Sequence, residues 1–235
     1  MTRRRWIADE FSDHHAELLG QNAAHLARVL RARVGQEYEI VCGKVVRRGT
    51  IASVSEEHVR FSLGEALVER CEHEIVLVMA IYKFDRLEWA IEKCTELGAT
   101  RIVPVIARRT DAHLATAAAK RVERWRRIAH EAAQQSRRLR APQIDEIVKL
   151  KFALTLEAPT RLLLDENEHS KKIFDALSEM ATPVIFAVGP EGGWADDELS
   201  QFGAAGWRSV SLGSAILRAE TAAIAALAAA AAILG

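Results

Sequence analysis

Two uninterrupted apolar runs, residues 75–81 and 184–188, constrain the fold of this chain more than any other feature. They are apolar at every position rather than at every second one. Such runs read as strands buried on both faces, which points to a parallel sheet covered by helices on both sides. The segments around them have the matching period. Residues 87–97 carry apolar side chains at 87, 90, 91, 94 and 97, a helical stripe stopped by Gly98. Residues 102–107 read as the next strand. Residues 120–139 read as a long helix with Val122, Trp125, Ile128, Ala129, Ala132 and Leu139 on one face and Pro142 behind it. Beyond it, 161–165 reads as a strand, 171–180 as a helix, 184–188 as a strand, 196–202 as a helix, 207–212 as a strand and 221–234 as a helix. This alternation predicts a mostly parallel α/β sheet.

Residues 1–70 follow another pattern. A short amphipathic helix over 25–31, with Leu26, Val29 and Leu30 apolar, stops at Gly35. Short alternating segments follow over 38–42, 45–54 (with a glycine break at Gly49) and 59–63, punctuated by Gly43, Gly49 and Gly64. Strands this short and this closely spaced predict a small β-barrel, with a domain boundary near residue 72.

The chain of 235 residues is 49% hydrophobic and has no formal net charge, yet its charge is uneven. Residues 101–151 hold thirteen Lys/Arg against five Asp/Glu, and residues 152–235 five against eleven. A basic block on a neutral protein suits a polyanion, although a solvated charged helix accounts for it equally well. Cys42, Cys71 and Cys94 are far apart, so neither a disulfide framework nor a zinc cluster is expected, and Cys71 with His73 is a lone pair. No metal is expected. The basic start, Arg3-Arg4-Arg5-Trp6, is not followed by the apolar core of a signal peptide. The longest apolar run, residues 222–234, is too short to span a bilayer. The expectation is a cytoplasmic protein without membrane attachment.

Three strand ends collect chemistry, as the carboxyl ends of parallel strands do. The first is Leu163-Leu164-Asp165-Glu166. The second, Val188-Gly189-Pro190-Glu191-Gly192-Gly193-Trp194, rules out helix or strand and suits a loop whose bare backbone approaches a ligand or another segment. It lacks the Lys-Ser/Thr ending of a P-loop, and G-x-G-x-x-G occurs nowhere in the chain. The third, Leu212-Gly213-Ser214-Ala215-Ile216-Leu217-Arg218-Ala219-Glu220-Thr221, carries one Arg and one Glu, with Thr221 able to cap a helix.

Taken together, these two C-terminal loops resemble those of the RsmE family, 16S ribosomal RNA uridine-N3 methyltransferases of the SPOUT superfamily. Upstream, Lys83-Phe84-Asp85-Arg86-Leu87-Glu88-Trp89 and Lys93-Cys94-Thr95-Glu96-Leu97-Gly98 are similar to the family's K-G-D-R-M-E-W and K-x-x-E-L-G. Ile102-Val103-Pro104, the stretch from Glu131 to Arg138, and His25 to Arg31 with Gly35 extend the likeness over nearly the whole chain. Phe84 stands where the family usually has glycine, and Ser214-Ala215 where it has Pro-Arg.

The resemblance implies a trefoil-knotted SPOUT methyltransferase domain over residues 72–235, behind a PUA-like RNA-binding β-barrel over residues 1–71. It implies S-adenosylmethionine as cofactor, 16S ribosomal RNA or the 30S subunit as substrate, and a homodimer that completes the site. By motif position, Leu164, Gly189, Gly193, Leu212, Ile216 and Leu217 are the candidate cofactor contacts. Loss of the N3 proton leaves negative charge on the uracil oxygens. Arg218 is the candidate cation, and Glu191 and Glu220 compete for proton handling or for orienting Arg218. Arg3, Arg4, Arg5, Arg28, Arg31, Arg137 and Arg138 are candidate RNA contacts, with Trp6 a candidate stacking ring and Arg108, Arg109, Arg124, Arg127 and Arg140 the rest of the basic surface. Two alternatives stay open: a SPOUT methyltransferase acting on a ribose 2′-OH or a transfer RNA base, and a non-catalytic RNA-binding assembly factor.

Overall fold

The computed structural model describes residues 5–43, 45–67 and 73–234, so Arg3, Arg4 and Cys71 lie outside the described residues. Packing divides the chain into two compact units, Met1–Cys71 with Ala133–Ala141, and Glu72–Ala132 with Pro142–Gly235.

The first unit holds β1 (Arg5–Ile7), β2 (Glu10–Phe11), β3 (His15–Leu19), β4 (Glu37–Cys42), β5 (Val45–Val54) and β6 (His58–Leu67). They form one sheet in the order β1-β4-β5-β6-β3-β2, antiparallel throughout except for β1 against β4. The glycine break expected at Gly49 does not occur. β5 runs through it, and the irregularity is absorbed as a register shift between Arg47 and Gly49. Between β3 and β4, α1 (Gly20–Ala24) passes into a π-helical turn over His25–Val29, so the helix starts earlier than its apolar stripe implied. Alternate residues of the strands bury Leu18, Ile40, Ile51, Val59 and Phe61 around Trp6 and Leu26. Trp6 is 3% exposed, with His25 edge-on at 5.8 Å. Its face is therefore core rather than a platform for a base, which corrects the stacking expectation.

In the second unit, β7 (Ile75–Ala80) is followed by α2 (Phe84–Glu96), β8 (Arg101–Ile106), α3 (Ala112–Ala118) and α4 (Val122–Gln135). Then come β9 (Gln143–Ile144), β10 (Val148–Lys149), α5 (Leu150–Ala153), β11 (Thr160–Leu164), α6 (Ile173–Ser178), β12 (Val184–Val188), α7 (Asp196–Ala204), β13 (Arg208–Val210) and α8 (Ala219–Leu234). The sheet is parallel in every pairing, in the order β10-β8-β7-β12-β11-β13 with β9 beside β8. Successive strand residues go to opposite layers. Ile75, Leu77 and Met79 pack with Leu87, Ile91 and Trp125 and with Ala223 and Leu227 of α8. Val76, Val78 and Ala80 pack with Leu150, Trp194, Phe202 and Trp207. This double burial is the physical reason for the unbroken apolar runs.

Two expected boundaries move. The helix read over 120–139 is α3, a 3-10 turn over Ala119–Arg121 and then α4, which ends at Gln135 because Arg137 takes a left-handed φ of 60°. Asp111 starts α3 by accepting from the His113 and Leu114 amides. α8 begins at Ala219, so Thr221 lies inside its first turn and is not its cap. Phe84, the first departure from the family pattern, leaves the helix start intact. Its ring packs 6.1 Å from Trp125, with the Arg121 guanidinium 4.9 Å above it. No described helix is long and apolar enough to cross a membrane.

Candidate functional site

β12 lies beside β11, and β11 beside β13, all parallel, so Leu164, Val188 and Val210 end at one edge of the sheet. The loops that leave these ends enclose a cavity of about 470 Å³. Leu164, Gly189, Gly193, Leu212, Ile216 and Leu217 all line it, joined by Asp165, Glu166, Asn167, His169, Glu191, Trp194, Ser214 and Ala215. The six candidate cofactor contacts, up to 53 residues apart in the chain, thus share one wall system. Its volume suits a nucleoside-sized molecule.

The loops are tied to one another. Asp165 N donates to Val210 O (3.2 Å), Ile173 N to Ser211 O (2.9 Å) and Ser211 N to Lys171 O (2.8 Å), so the segment after β11 is laced to the segment after β13. Glu168 holds its turn by accepting from Ser170 Oγ, Ser170 N and Lys171 N, and these bonds draw its carboxyl down to about 2. The glycine loop is braced from below. Arg109 Nη1 donates to Gly192 O at 2.7 Å. Buried Glu198 accepts from Arg108 N (2.8 Å) and from Ala195 N (2.9 Å), fixing the entry into α7. Gly189 packs closely on the buried indole of Trp194, from which a Cβ there would stand 3.2 Å, a tight contact.

The candidate catalytic residues are arranged unequally. Glu191 lines the cavity with its side chain 37% exposed. Glu220, in the first turn of α8, is 5% exposed and does not reach the lining. Its Oε2 accepts no hydrogen bond among the described residues. Arg218 is exposed, and its side chain has no ion-pair or hydrogen-bond partner among the described residues. A fourth participant escaped the sequence reading. Arg86, at the start of α2, donates from Nη1 to Glu191 Oε1 at 3.0 Å and sets Nε 3.8 Å from Glu220 Oε1. Arg86 lies 105 residues from Glu191. The only signal for it was its place in the Lys83-Phe84-Asp85-Arg86 motif. Nearby Tyr82 is buried, and desolvation, with help from the Glu220 and Glu191 charges, pushes its phenol well above its ordinary value. Tyr82 therefore stays neutral and donates to Met79 Sδ at 3.3 Å.

The arginines expected to meet RNA fall into two groups. Arg28 and Arg31 are exposed, with Arg28 paired to Glu56. Arg5 forks onto Glu39 at 2.8 and 3.0 Å and also donates to the carbonyl of Arg137, while Arg138 is 8% exposed. Within the basic block Arg108 pairs with Asp197, Arg124 with Glu88, and Arg126 with Glu123 and Glu146. Carboxylates therefore offset part of its charge.

Residues 69–231 match the family model of the RNA methyltransferase domain. The Synechocystis protein named ribosomal RNA small subunit methyltransferase E is 36% identical over 216 residues, covering 87% of this chain and 68% of its own. The chain belongs to this RNA methyltransferase family. The Rickettsia conorii member with that name is 33% identical over 92% of this chain and 86% of its own. Among solved structures, the Neisseria gonorrhoeae member bound to S-adenosyl methionine superposes with a TM-score of 0.84 at 30% identity, covering 97% of this chain and 96% of that one. A methyltransferase from Legionella pneumophila in complex with the same cofactor gives 0.86 at 28% identity, over 99% of this chain and 98% of its own.

Proposed function

We propose that this protein is an S-adenosylmethionine-dependent methyltransferase acting on N3 of a uridine in 16S ribosomal RNA of the small subunit. The observation that carries the cofactor assignment is the charge of the cavity. Asp165, Glu166 and Glu191 line it, and no lysine or arginine does among the described residues. A phosphate-bearing nucleotide would find no lysine or arginine in that lining. A nucleoside with a sulfonium and an ammonium group finds carboxylates and a wall of apolar and main-chain groups. When bound, the cofactor supplies an electrophilic methyl group.

The chain's own residues do the rest. The loops after β11, β12 and β13 orient the cofactor through main-chain groups, with Leu164, Gly189, Gly193, Leu212, Ile216 and Leu217 as its contacts. Glu191 and Glu220 are the carboxylates for proton handling at N3, and Arg218, unpaired and exposed, is a cation free to meet the RNA or the developing uracil anion. The tight lacing of the segments after β11 and β13 supports a trefoil knot over residues 72–235. The separate six-stranded sheet supports a PUA-like RNA-binding unit over residues 1–71. Exposed Arg28 and Arg31 support RNA contact by that unit, and exposed Arg127 supports it for the basic block. Ile216 is 81% exposed at the cavity. That exposure supports a homodimer in which a second copy closes this wall.

The test is methylation of 30S subunits that lack the modification, followed by mass analysis of the nucleosides. 3-Methyluridine is the expected product. Methyl groups on ribose, or none at all, would replace this function by one of the two alternatives.

A further inference from the structure

We propose that Arg86 is the pre-positioned cation of the reaction site, that buried Glu220 is its positioning residue, and that Glu191 takes the N3 proton; this rests on the uridine-N3 reading above. Two carboxylates compete for proton handling, and the geometry separates them. Of the two, Glu191 lines the cavity and has an open carboxylate. Glu220 is closed off at 6% side-chain exposure, so a base could reach it only after α8 moved.

What Glu220 does reach is Arg86. A buried carboxylate without a cation is costly, and Glu220 has one oxygen that accepts no hydrogen bond among the described residues. Arg86 Nε lies 3.8 Å from its other oxygen, too long for a hydrogen bond and short enough for attraction to a carboxylate that burial shields from water. Glu220 thus draws the guanidinium inward, while Glu191, itself in the cavity lining, holds its Nη1 at 3.0 Å. Of the five guanidinium donors, one is committed to Glu191 in a hydrogen bond. The Nε–H faces Glu220, and the remaining three are open to a uracil oxygen. Arg218 is exposed and unpaired, so it would have to be ordered at the moment of reaction.

The charges balance. The N3–H bond breaks, its electron pair stays on the ring, and the proton bonds to an oxygen of Glu191. Negative charge moves from Glu191 to the uracil oxygens, and Arg86, already matched to Glu191, matches the ring instead. The sum of charges around Arg86 is unchanged, so no group has to move in from solvent.

The test compares Arg86→Ala, Arg86→Lys, Glu191→Gln, Glu220→Gln and the double variant Arg86→Ala/Glu220→Gln on 30S subunits. Removing a pre-positioned donor typically costs about 100-fold or more in turnover. Arg86→Ala is expected to lower kcat by about that factor, with KM and the calorimetric cofactor Kd moving by less than about threefold. Arg86→Lys should recover about tenfold of the loss, because the charge returns without the fork. Glu191→Gln should lose more turnover than Glu220→Gln. In the protein without cofactor, Arg86→Ala should lower Tm by about 3 °C or more, and Glu220→Gln added to it should restore most of that loss. Arg86→Ala with kcat within threefold of wild type overturns the proposal, as does a double variant no more stable than Arg86→Ala. Glu220→Gln more damaging than Glu191→Gln overturns the division of roles. No 3-methyluridine from the wild type, with the thermal rescue intact, overturns the underlying function and the proton step with it, leaving only the Arg86–Glu220 coupling.

Discussion

Gly193 and Glu166 close the cavity from two different strand ends. Gly193 holds a left-handed φ of 70°, and a Cβ built there would stand 2.6 Å from Glu166 Oε1. The carboxylate can swing away, but the backbone conformation remains strained for any side chain, and most of all for a β-branched one. Gly193→Val is therefore expected to weaken cofactor binding by about 100-fold or more and to cost about 1–3 kcal/mol of stability. Calorimetry on a folded variant checks it, and unchanged affinity would count against this loop as a cofactor contact.

Arg218 presents the opposite case, an exposed side chain with no partner to lose. Arg218→Ala should leave Tm within about 1 °C, in the range of neutral surface changes. Cofactor affinity should stay within threefold while methyl transfer falls by about tenfold or more. Weakened cofactor binding by calorimetry would place Arg218 in the cofactor site instead.

Phe84 fills a position where the family usually has glycine, and its ring contacts both Trp125 and Arg121. Phe84→Gly removes that packing and loosens the start of α2. A loss of about 1–2 kcal/mol is expected, read as a fall in Tm of about 3–6 °C. No loss of stability would mean that the aromatic cluster contributes nothing in solution.

Glu168 links pH to the turn beside the cavity. Its folded value, lowered to about 2 by bonds from Ser170 and Lys171, lies below the ordinary 4.5. A depressed carboxylate contributes stability that is present above 4.5 and is lost as pH falls through about 2. The turn should thus stay formed at pH 4. Carbon NMR of the Glu168 carboxyl should give a midpoint near 2, and a midpoint near 4.5 would mean that the three hydrogen bonds do not persist.

Much of the fold is legible in the chain because it follows from local rules. The apolar runs at 75–81 and 184–188 became β7 and β12 in the middle of a parallel sheet, and the stripe at 87–97 became α2. Those runs are apolar for a reason that sequence alone carries: both faces are covered. Weaker local signals went astray. The charged, interrupted residues 5–19 hide three short strands, and the long basic helix breaks where Arg137 turns left-handed, a conformation that its side chain does not announce.

By itself the sequence determined which loops matter, since glycines, a proline and isolated charges at strand ends leave few other uses for them. The tertiary structure alone decided how those loops meet. It brought the ends of β11, β12 and β13 to one edge, gave the cavity a lining with carboxylates and, among the described residues, no lysine or arginine, and buried Glu220 while leaving Glu191 open. It also brought Arg86 between those two carboxylates from more than a hundred residues away. Attraction between charges acts through space and is strongest where water is excluded, so no spacing along the chain could have revealed that pairing.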